Sequence, residues 1–474
     1  MKPNDFPMRA FLTAFLLAAW FGCESRLPAQ SAAPAARNVP IGPAFAGNDI
    51  NAVSFRQSGL ISVVADGKTY QFAAYYRHEE GPRPNRRVTI ARRQIDSIEW
   101  QIFNQPFGDD NSNGNDSHNT ISIGIDPRRF MHVSYGMHNN RLVYRTSTGP
   151  VTNTEPIDFG DVRPMIGAGG RASNENSATY PQFYNLPARS SQTIGDLIFF
   201  YRNGGSGNGN IFLNRYDLAA DTWFAVAHPL FDGVRSSVNA YPNNLGFLYA
   251  TGTLHMTWTD RSTPAFQTNH NLYYARSPDG GRRWTKMDGT LYKLPITEAT
   301  AEVAVAIPEQ STLINQAGMA VDNDGRPVVA TWWAPKAQQG DHTRQYMLAY
   351  YDGAAWKTSP ITSRPAEPKQ TDATVRDLGR PLVLVDYDNR TLVVLRFKER
   401  GNMVTIAHSQ NRRDWQFIDL TAEPFGQWEP TCDATLWQRE NKLHLLVQPV
   451  GLGQETSTIG VLEWDAAAYF ATRR

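Results

Sequence analysis

The chain has 474 residues, with 46 Lys plus Arg against 45 Asp plus Glu, a length that suits one large β domain or two ordinary domains. The charge balance excludes a global field that would recruit nucleic acid or an anionic membrane, so any anionic ligand must be met by local charge. Aromatic residues make up 11%, with 12 Trp, and 36 Gly and 30 Pro are spread along the length, which favours a turn-rich all-β protein over a helical one.

The first element is an address. Lys2 and Arg9 precede the apolar run "AFLTAFLLAAWFG" (10–22), too short to span a bilayer as a mature helix, and it reads as a secretory signal peptide. Two cuts stay open. One falls before Cys23, as in a lipoprotein, although Trp20 stands where an aliphatic residue is usual; the other is a conventional cut within "RLPAQSAAPAARN" (26–38). A signal and flexible segment is expected over 1–38 and a single domain over 39–474, in a protein that is secreted, periplasmic or at the cell surface. The only other cysteine is Cys432, so stability must come from core size rather than disulfides. No later segment is apolar and long enough to span a bilayer, and a monomer is expected.

From there one grammar recurs: a short apolar strand, an Asp/Asn/Gly turn, a second apolar strand, then a third strand containing Tyr. It begins with "LISVVADGKTYQFAAYYR" (60–77) and "ISIGIDPRRFMHVSYG" (121–136). "PQFYNLPARSSQTIGDLIFFYR" (181–202) and "NLGFLYATGTLHMTWTDR" (244–261) follow. "GMAVDNDGRPVVATWW" (318–333), "PLVLVDYDNRTLVVLRF" (381–397) and "ATLWQRENKLHLLVQ" (434–448) complete the series. Third-strand partners include "RLVYR", "NLYYARS", "YMLAYYDG" and "MVTIAHS". Seven such units match propeller blades, and a seven-bladed β-propeller is the fold expected. Two sandwiches are the alternative, but they do not predict one unit seven times. "SPDGGRRW" (277–284) fits the Asp-box S-x-D-x-G-x-x-W, a turn between third and fourth propeller strands, and "SQNRRDW" (409–415) is a shorter copy. The Asp-box speaks for fold, not activity.

Antiparallel hairpin partners lie equidistant from their turn. His118 and His138 are each ten residues from Arg128, the centre of "DPRRF". Tyr180 and Arg202 lie within one residue of equidistance from the middle of "PARSSQTIGD", and Tyr241 and Arg261 are each ten from Thr251. Three consecutive units thus place a polar or titratable pair at the open end of the first hairpin, and propeller geometry would gather those ends near one axis. His, Tyr and Arg without an obligatory carboxylate or metal suit β-elimination at a uronic acid. Arg or His neutralises the carboxylate whose charge grows as the C5 proton leaves, Tyr or His takes that proton, and a Tyr hydroxyl protonates the departing O4.

The stretches "DSHNTISIGIDPRRFMHVSYGMHNNRLVYR", "TYPQFYNL", "LIFFYRNGGSGNGNI", "NAYPNNLGFLYATGTLHMTWTDR", "TNHNLYYARSPDGGRRWT" and "QWEPTCDATLWQRENKLHLLVQ" resemble the BNR-repeat-containing family that includes seven-bladed-propeller ulvan lyases, secreted bacterial enzymes of algal polysaccharide degradation. The resemblance covers roughly residues 51–464. It implies that His118 and His138 neutralise the uronate carboxylate or move a proton, that Tyr180 is acid and base, that Arg202 neutralises the carboxylate, and that Tyr241 is a further active-site tyrosine. Asn119, Arg261, Asn208 and Arg380 are candidate sugar contacts. Two departures stand out: "ARSSQT" lengthens the loop between Tyr180 and Arg202, and Tyr273 and Tyr274 stand in "NHNLYYARS" where some members carry a Cys that helps hold a structural metal. His255 and His270 remain as candidates for a Ca or Zn ion, but no metal is the preferred expectation, and the chemistry requires no cofactor.

The glycine-rich "RNGGSGNGN" (202–210) lacks the Lys-Ser/Thr and helix of a phosphate loop; a tight turn beside the pocket is expected. "DDNSNGND" (109–116) lacks the last-position Glu of an EF-hand and reads as a solvated loop. "RPNRR" (83–87) reads as a solvated basic turn. Arg396 is a weaker candidate for a subsite, and Trp332, Trp333 and Trp428 are assigned to packing between blades. The function expected is a secreted lyase of a uronate-containing, sulfated, ulvan-like polysaccharide. A sialidase-like glycoside hydrolase and a non-catalytic glycan-binding propeller are the alternatives.

Overall fold

The computed structural model describes residues 36–54, 59–79, 85–109, 116–153, 155–166, 175–188, 195–371 and 376–473. The expected signal peptide with Cys23, Arg83 of the basic turn, residues 110–115 and most of the "ARSSQT" insertion lie outside the described residues. The described chain is all-β, built of successive antiparallel sheets. No helix among the described residues is long and apolar enough to cross a membrane.

The first sheet holds Leu60–Ala65, Lys68–Glu79, Asn85–Gln94 and Gln101–Asp109 in chain order. Its opening hairpin turns through Asp66 and Gly67, both at positive φ, the conformation that an Asp-Gly pair adopts most readily and that matches strand twist. The second holds Ser122–Ile125, Met131–Ser134 and Tyr144–Thr146. Its turn is fixed by the Asp126 carboxylate, which accepts the backbone N–H groups of Arg128 (2.8 Å) and Phe130 (3.0 Å). Ser122 pairs with Ser134 and Ile123 with Val133, both equidistant from Arg128 as the sequence requires.

Ala178–Asn185, Leu197–Gly205, Asn208–Asp217 and Thr222–Phe231 follow, then Asn239–Pro242, Thr253–Arg261, Asn269–Ser277 and Glu302–Val305. A parallel bridge from Gly209 to Asn239 joins these two groups, and His138–Asn140 pairs onto the edge of the first of them. Two regular four-stranded sheets come next: Gly318–Val321 to Trp356–Pro360, and Leu382–Val385 to Gln416–Asp419.

The last sheet contains Thr431–Cys432, Lys442–Val447 and Thr456–Asp465, and its outer strand is Arg37–Phe45. That strand begins inside the segment expected to be flexible, two residues before position 39. The hairpin expected over 434–448 is corrected: Ala434–Glu440 is an α-helix. Asp433 caps it by accepting the N–H of Leu436, Asn441 closes it in the left-handed conformation, and Leu436 and Trp437 are buried. Capping outweighs a sequence pattern that also fits a strand.

Apolar clusters join neighbouring sheets one after another. Ile61, Phe72 and Ile90 pack with Ile121 and Val133; Tyr144 with Phe183 and Trp223; Phe200 and Leu213 with Met256 and Trp284. Tyr274 packs with Met319 and Val329, Leu348 with Val393, and Leu392 with Leu443 and Trp464. Leu446 and Val461 of the last sheet then pack with Leu60 and Ala73 of the first. The Asp-box has the structural role expected. Asp279 accepts the N–H of Arg283, Ser277 Oγ accepts that of Gly281, and the buried Trp284 donates to the Gly281 carbonyl. Trp332, Trp333 and Trp428 are likewise buried. Arg396, a weaker subsite candidate, is corrected to a core role: it is fully buried and donates to the carbonyls of Trp428 and Arg376.

Candidate active site

The broken edges of the second, third and fourth sheets converge on one group of side chains. His118 lies in the turn that enters the second sheet, and His138 opens the short strand that pairs with Thr179. The two are not ladder partners, yet their rings stack at 4.2 Å with 25° between planes. The ring of Tyr180 lies 5.7 Å from His118 and 6.2 Å from Tyr241. The Arg202 guanidinium sits 5.1 Å over the Tyr180 ring, and that of Arg261 4.5 Å over Tyr241. All five residues proposed for catalysis from the sequence, and Arg261, thus form one contiguous set.

Local backbone explains how. Regular pairing stops between Thr179 and Gln182, and Tyr180 adopts φ 57° there, a left-handed conformation disfavoured for a bulky residue, more so before a proline. Arg202 therefore pairs with Thr179 rather than Tyr180, one residue from the expected register. Arg261 pairs with Asn239, two residues from expectation, but its side chain reaches back to give Nη1 to the Tyr241 hydroxyl at 3.1 Å.

The supporting hydrogen bonds are specific. Arg202 is fully buried, and its Nη2 donates to Asn139 Oδ1 (2.9 Å) and Thr179 Oγ1 (3.1 Å). It supplies buried positive charge against the Tyr180 ring rather than an open fork at the surface. Arg261 Nε donates to Asn269 Oδ1 (2.7 Å), and the Tyr241 hydroxyl also meets Ser206 Oγ at 2.8 Å. Ser206 comes from the glycine-rich stretch, which forms the hairpin between Leu197–Gly205 and Asn208–Asp217 and turns at Gly204 and Gly207, both at positive φ. Val53 packs against both tyrosines.

The sequence reading missed Asp116. Its Oδ1 lies 2.5 Å from Nδ1 of His118 and accepts that residue's backbone N–H at 2.9 Å, while Oδ2 contacts Nδ1 of His138. Burial alone would raise its pKa, but hydrogen bonds from the two imidazoles hold it far below the usual carboxylate range. The D-x-H spacing was the available signal. It lay at the end of a stretch read as solvated loop, a reading now corrected for both described acids there: Asp109 is buried and ion-paired with buried Arg86.

Asn119 is also fully buried and donates to Asp109 Oδ2 at 2.8 Å, so it braces the His118 turn rather than offering a sugar contact. Asn208 sits exposed at the hairpin turn. Of the basic turn, Arg86 and Arg87 are committed to Asp109 and Glu79, which corrects the solvated reading for Arg86. Arg380 binds Glu429 at 3.1 Å and the Asn315 carbonyl at 3.0 Å, and its charge reaches both His118 and Tyr180.

His118 and His138 keep about a third of their side chains accessible, whereas Tyr180 and Tyr241 are buried. Burial, then the charge of His138, lowers the His118 pKa below 6.5, against the raising pull of Asp116. Burial pushes Tyr180 up to about 12, reinforced by Tyr241 and opposed by Arg202, Arg261 and Arg380. At neutral pH the arrangement offers His118 as an imidazole base, a protonated Tyr180 and a cluster of arginines.

Two groups of described residues bring three potential metal ligands within 4.8 Å: Asp116, His118 and His138, and separately Asp260, His270 and Glu298. His255 belongs to neither. It is buried against the Tyr274 hydroxyl (2.8 Å) with its pKa pushed down to about 3, and it pairs at the far end of the strand that carries Asp260, so it cannot share an ion with His270. A separate cavity of about 590 Å³, lined by Phe183, Phe247, Met319, Leu384 and Trp437 among others, includes none of the catalytic candidates.

Sheets that follow one another in chain order and a titratable cluster on their broken edges define a repeat protein with a candidate enzymatic site. Residues 70–364, more than half of the chain, match the BNR repeat-containing family, and the chain belongs to it. Among curated proteins it is 25% identical over 274 residues to a long-isoform ulvan lyase of Pseudoalteromonas sp. (strain PLSV), covering 48% of this chain and 26% of that one. It is 24% identical over 281 residues to a short-isoform ulvan lyase of Alteromonas sp. (strain LOR), covering 49% and 52%. The match thus spans about a quarter to a half of these relatives' length. Among solved structures, a PL25 ulvan lyase bound to -[GlcA(1-4)Rha3S]- superposes with TM-score 0.64 at 12% identity over 90% of this chain and 96% of the other. Polysaccharide lyase Uly1 gives 0.59 at 15% identity over 86% and 90%. These likenesses speak for the fold.

Proposed function

We propose that the protein is a secreted polysaccharide lyase that cleaves a uronate-containing, ulvan-like polymer by β-elimination, and that its sheets are the blades of a seven-bladed β-propeller. The propeller reading is supported by the succession of shared cores that leads from the first sheet to the last and back to the first. The lyase reading rests on one observation above all: His118, His138, Tyr180, Arg202 and Tyr241 come together without a break. The ulvan lyases among its relatives favour the same substrate class.

In this reading an imidazole Nε2 takes the proton from C5. The electron pair of that C–H bond forms the C4–C5 double bond, the C4–O4 bond breaks, and O4 takes the Tyr180 hydroxyl proton. Both proteins groups regain their starting state by exchange with solvent. Charge that builds on the uronate carboxylate is met by buried Arg202 and by a protonated imidazole at the surface. The arginines also steady the tyrosinate left behind, since Arg202, Arg261 and Arg380 all favour the ionised form. No metal ion is required for these steps.

The test is to incubate the purified protein with ulvan and other uronate polymers and follow ultraviolet absorbance of the unsaturated uronate. Appearance of that band supports elimination. New reducing ends from some glycan with no such band would instead identify a hydrolase, and binding without cleavage a glycan-binding propeller.

A further inference from the structure

Which imidazole nitrogens face the pocket is decided by the carboxylate behind them. A carboxylate in its ordinary ionised form can only accept hydrogen bonds, and the His118 backbone N–H already donates to Oδ1 of Asp116. Its two oxygens meet Nδ1 of His118 and Nδ1 of His138 separately, so each Nδ1 must carry a proton. A neutral imidazole has one N–H, so in that form the lone pair of each ring lies on Nε2. The carboxylate is itself fixed, because the His118 backbone N–H and the Asn119 N–H both return to Asp116, and Asn119 is anchored through Asp109 to buried Arg86.

We propose that Asp116 is a positioning residue that locks both histidines in the Nδ1–H tautomer and thereby presents two Nε2 atoms to one pocket. One takes the C5 proton; the other, when protonated, bonds the uronate carboxylate. The stacking of the rings at 4.2 Å follows from their sharing a single carboxylate. This inference rests on the lyase reading for its kinetic consequence, but not for its structural one.

The substitution Asp116→Asn makes the two separable. An amide presents one acceptor and one donor, so the imidazole facing its NH₂ must offer a lone pair at Nδ1 and move its proton to Nε2. Nitrogen NMR of the ¹⁵N-histidine-labelled full chain, without substrate, reads the tautomers, with His118→Gln and His138→Gln to assign the signals. The wild type should show Nδ1–H at both residues, and the Asn variant Nε2–H at one. A proton on Nε2 with none on Nδ1 at either residue in the wild type, or unchanged tautomers in the variant, overturns the proposal. In turnover, Asp116→Asn should lower kcat roughly a hundredfold with KM nearly unchanged, and Asp116→Glu, which keeps the carboxylate, should recover most of that loss. Full kcat in the Asn variant also overturns it. Should the wild type yield no unsaturated product from any uronate polymer, the lyase reading fails while the NMR still decides the tautomers. Wild-type spectra alone suffice if the Asn variant does not fold.

Discussion

The sheets over 318–360 and 382–419 and those over 178–231 and 239–305 are made of the same kinds of residue but are built differently. The former pair without a register shift in any described ladder. The latter shift at Thr179/Gln182, Leu213/Asn214, Trp258/Asp260 and Leu272/Tyr273. Tyr180, and Asn139 and Asn271 on adjoining strands, also adopt positive φ. A ladder satisfies backbone groups but points every side chain along the pleat; breaking it turns a side chain off that grid at a cost of order 1–3 kcal/mol per strained residue. The irregular sheets carry the candidate site, and the regular ones carry packing.

That contrast breaks most sharply at the site itself. Tyr180→Phe and Arg202→Ala should each lower kcat by roughly 10²–10⁴-fold with an unchanged melting temperature in the Phe variant; near-normal turnover in either would detach chemistry from the irregular sheets. Leu348→Ala is the counterpart in the regular half, where Leu348 is fully buried. It should cost about 2–5 kcal/mol of stability in denaturant titration while kcat stays within about twofold. Thr179→Val, which removes the hydroxyl that accepts from Arg202 and the Asn139 N–H, should cost roughly tenfold in kcat by loosening Arg202, and about 1–3 kcal/mol of stability.

The smallest effect is in pH. His118 is lowered below 6.5 by burial and by His138, so as a base it loses its lone pair only as pH falls below that value. Its acidic limb in kcat should therefore lie under pH 6.5. Tyr180, pushed up to about 12, keeps its proton through the ordinary tyrosine range, so no alkaline limb from it should appear near pH 10. A limb at pH 6.5 or above would move the role of base away from His118.

Much of this was legible in the sequence because turns fix register. Equidistance from Arg128 placed Ser122 opposite Ser134 without error. At Tyr180 and Arg261 the same rule missed by one and two residues, since a bulge or a long arginine is invisible to counting. Asp116 stayed hidden because its link to His138 passes between a turn and a strand rather than along a ladder. The last unit misled because "ATLWQRE" satisfies both a buried strand and a capped helix, and Asp433 decides for the helix.

The outer strand of the last sheet, Arg37–Phe45, pairs with Thr456–Asp465, with Arg37 bonded to Glu463 at a sequence separation of 426. This is a contact of the highest sequence separation, and loop-closure entropy must be met before it stabilises anything. As the chain leaves the ribosome, residues 37–45 wait, without their partner strand, for residues 456–465 to be made. The charged Arg37 and the two prolines at 40 and 43 are the features that keep such a waiting edge from recruiting another strand.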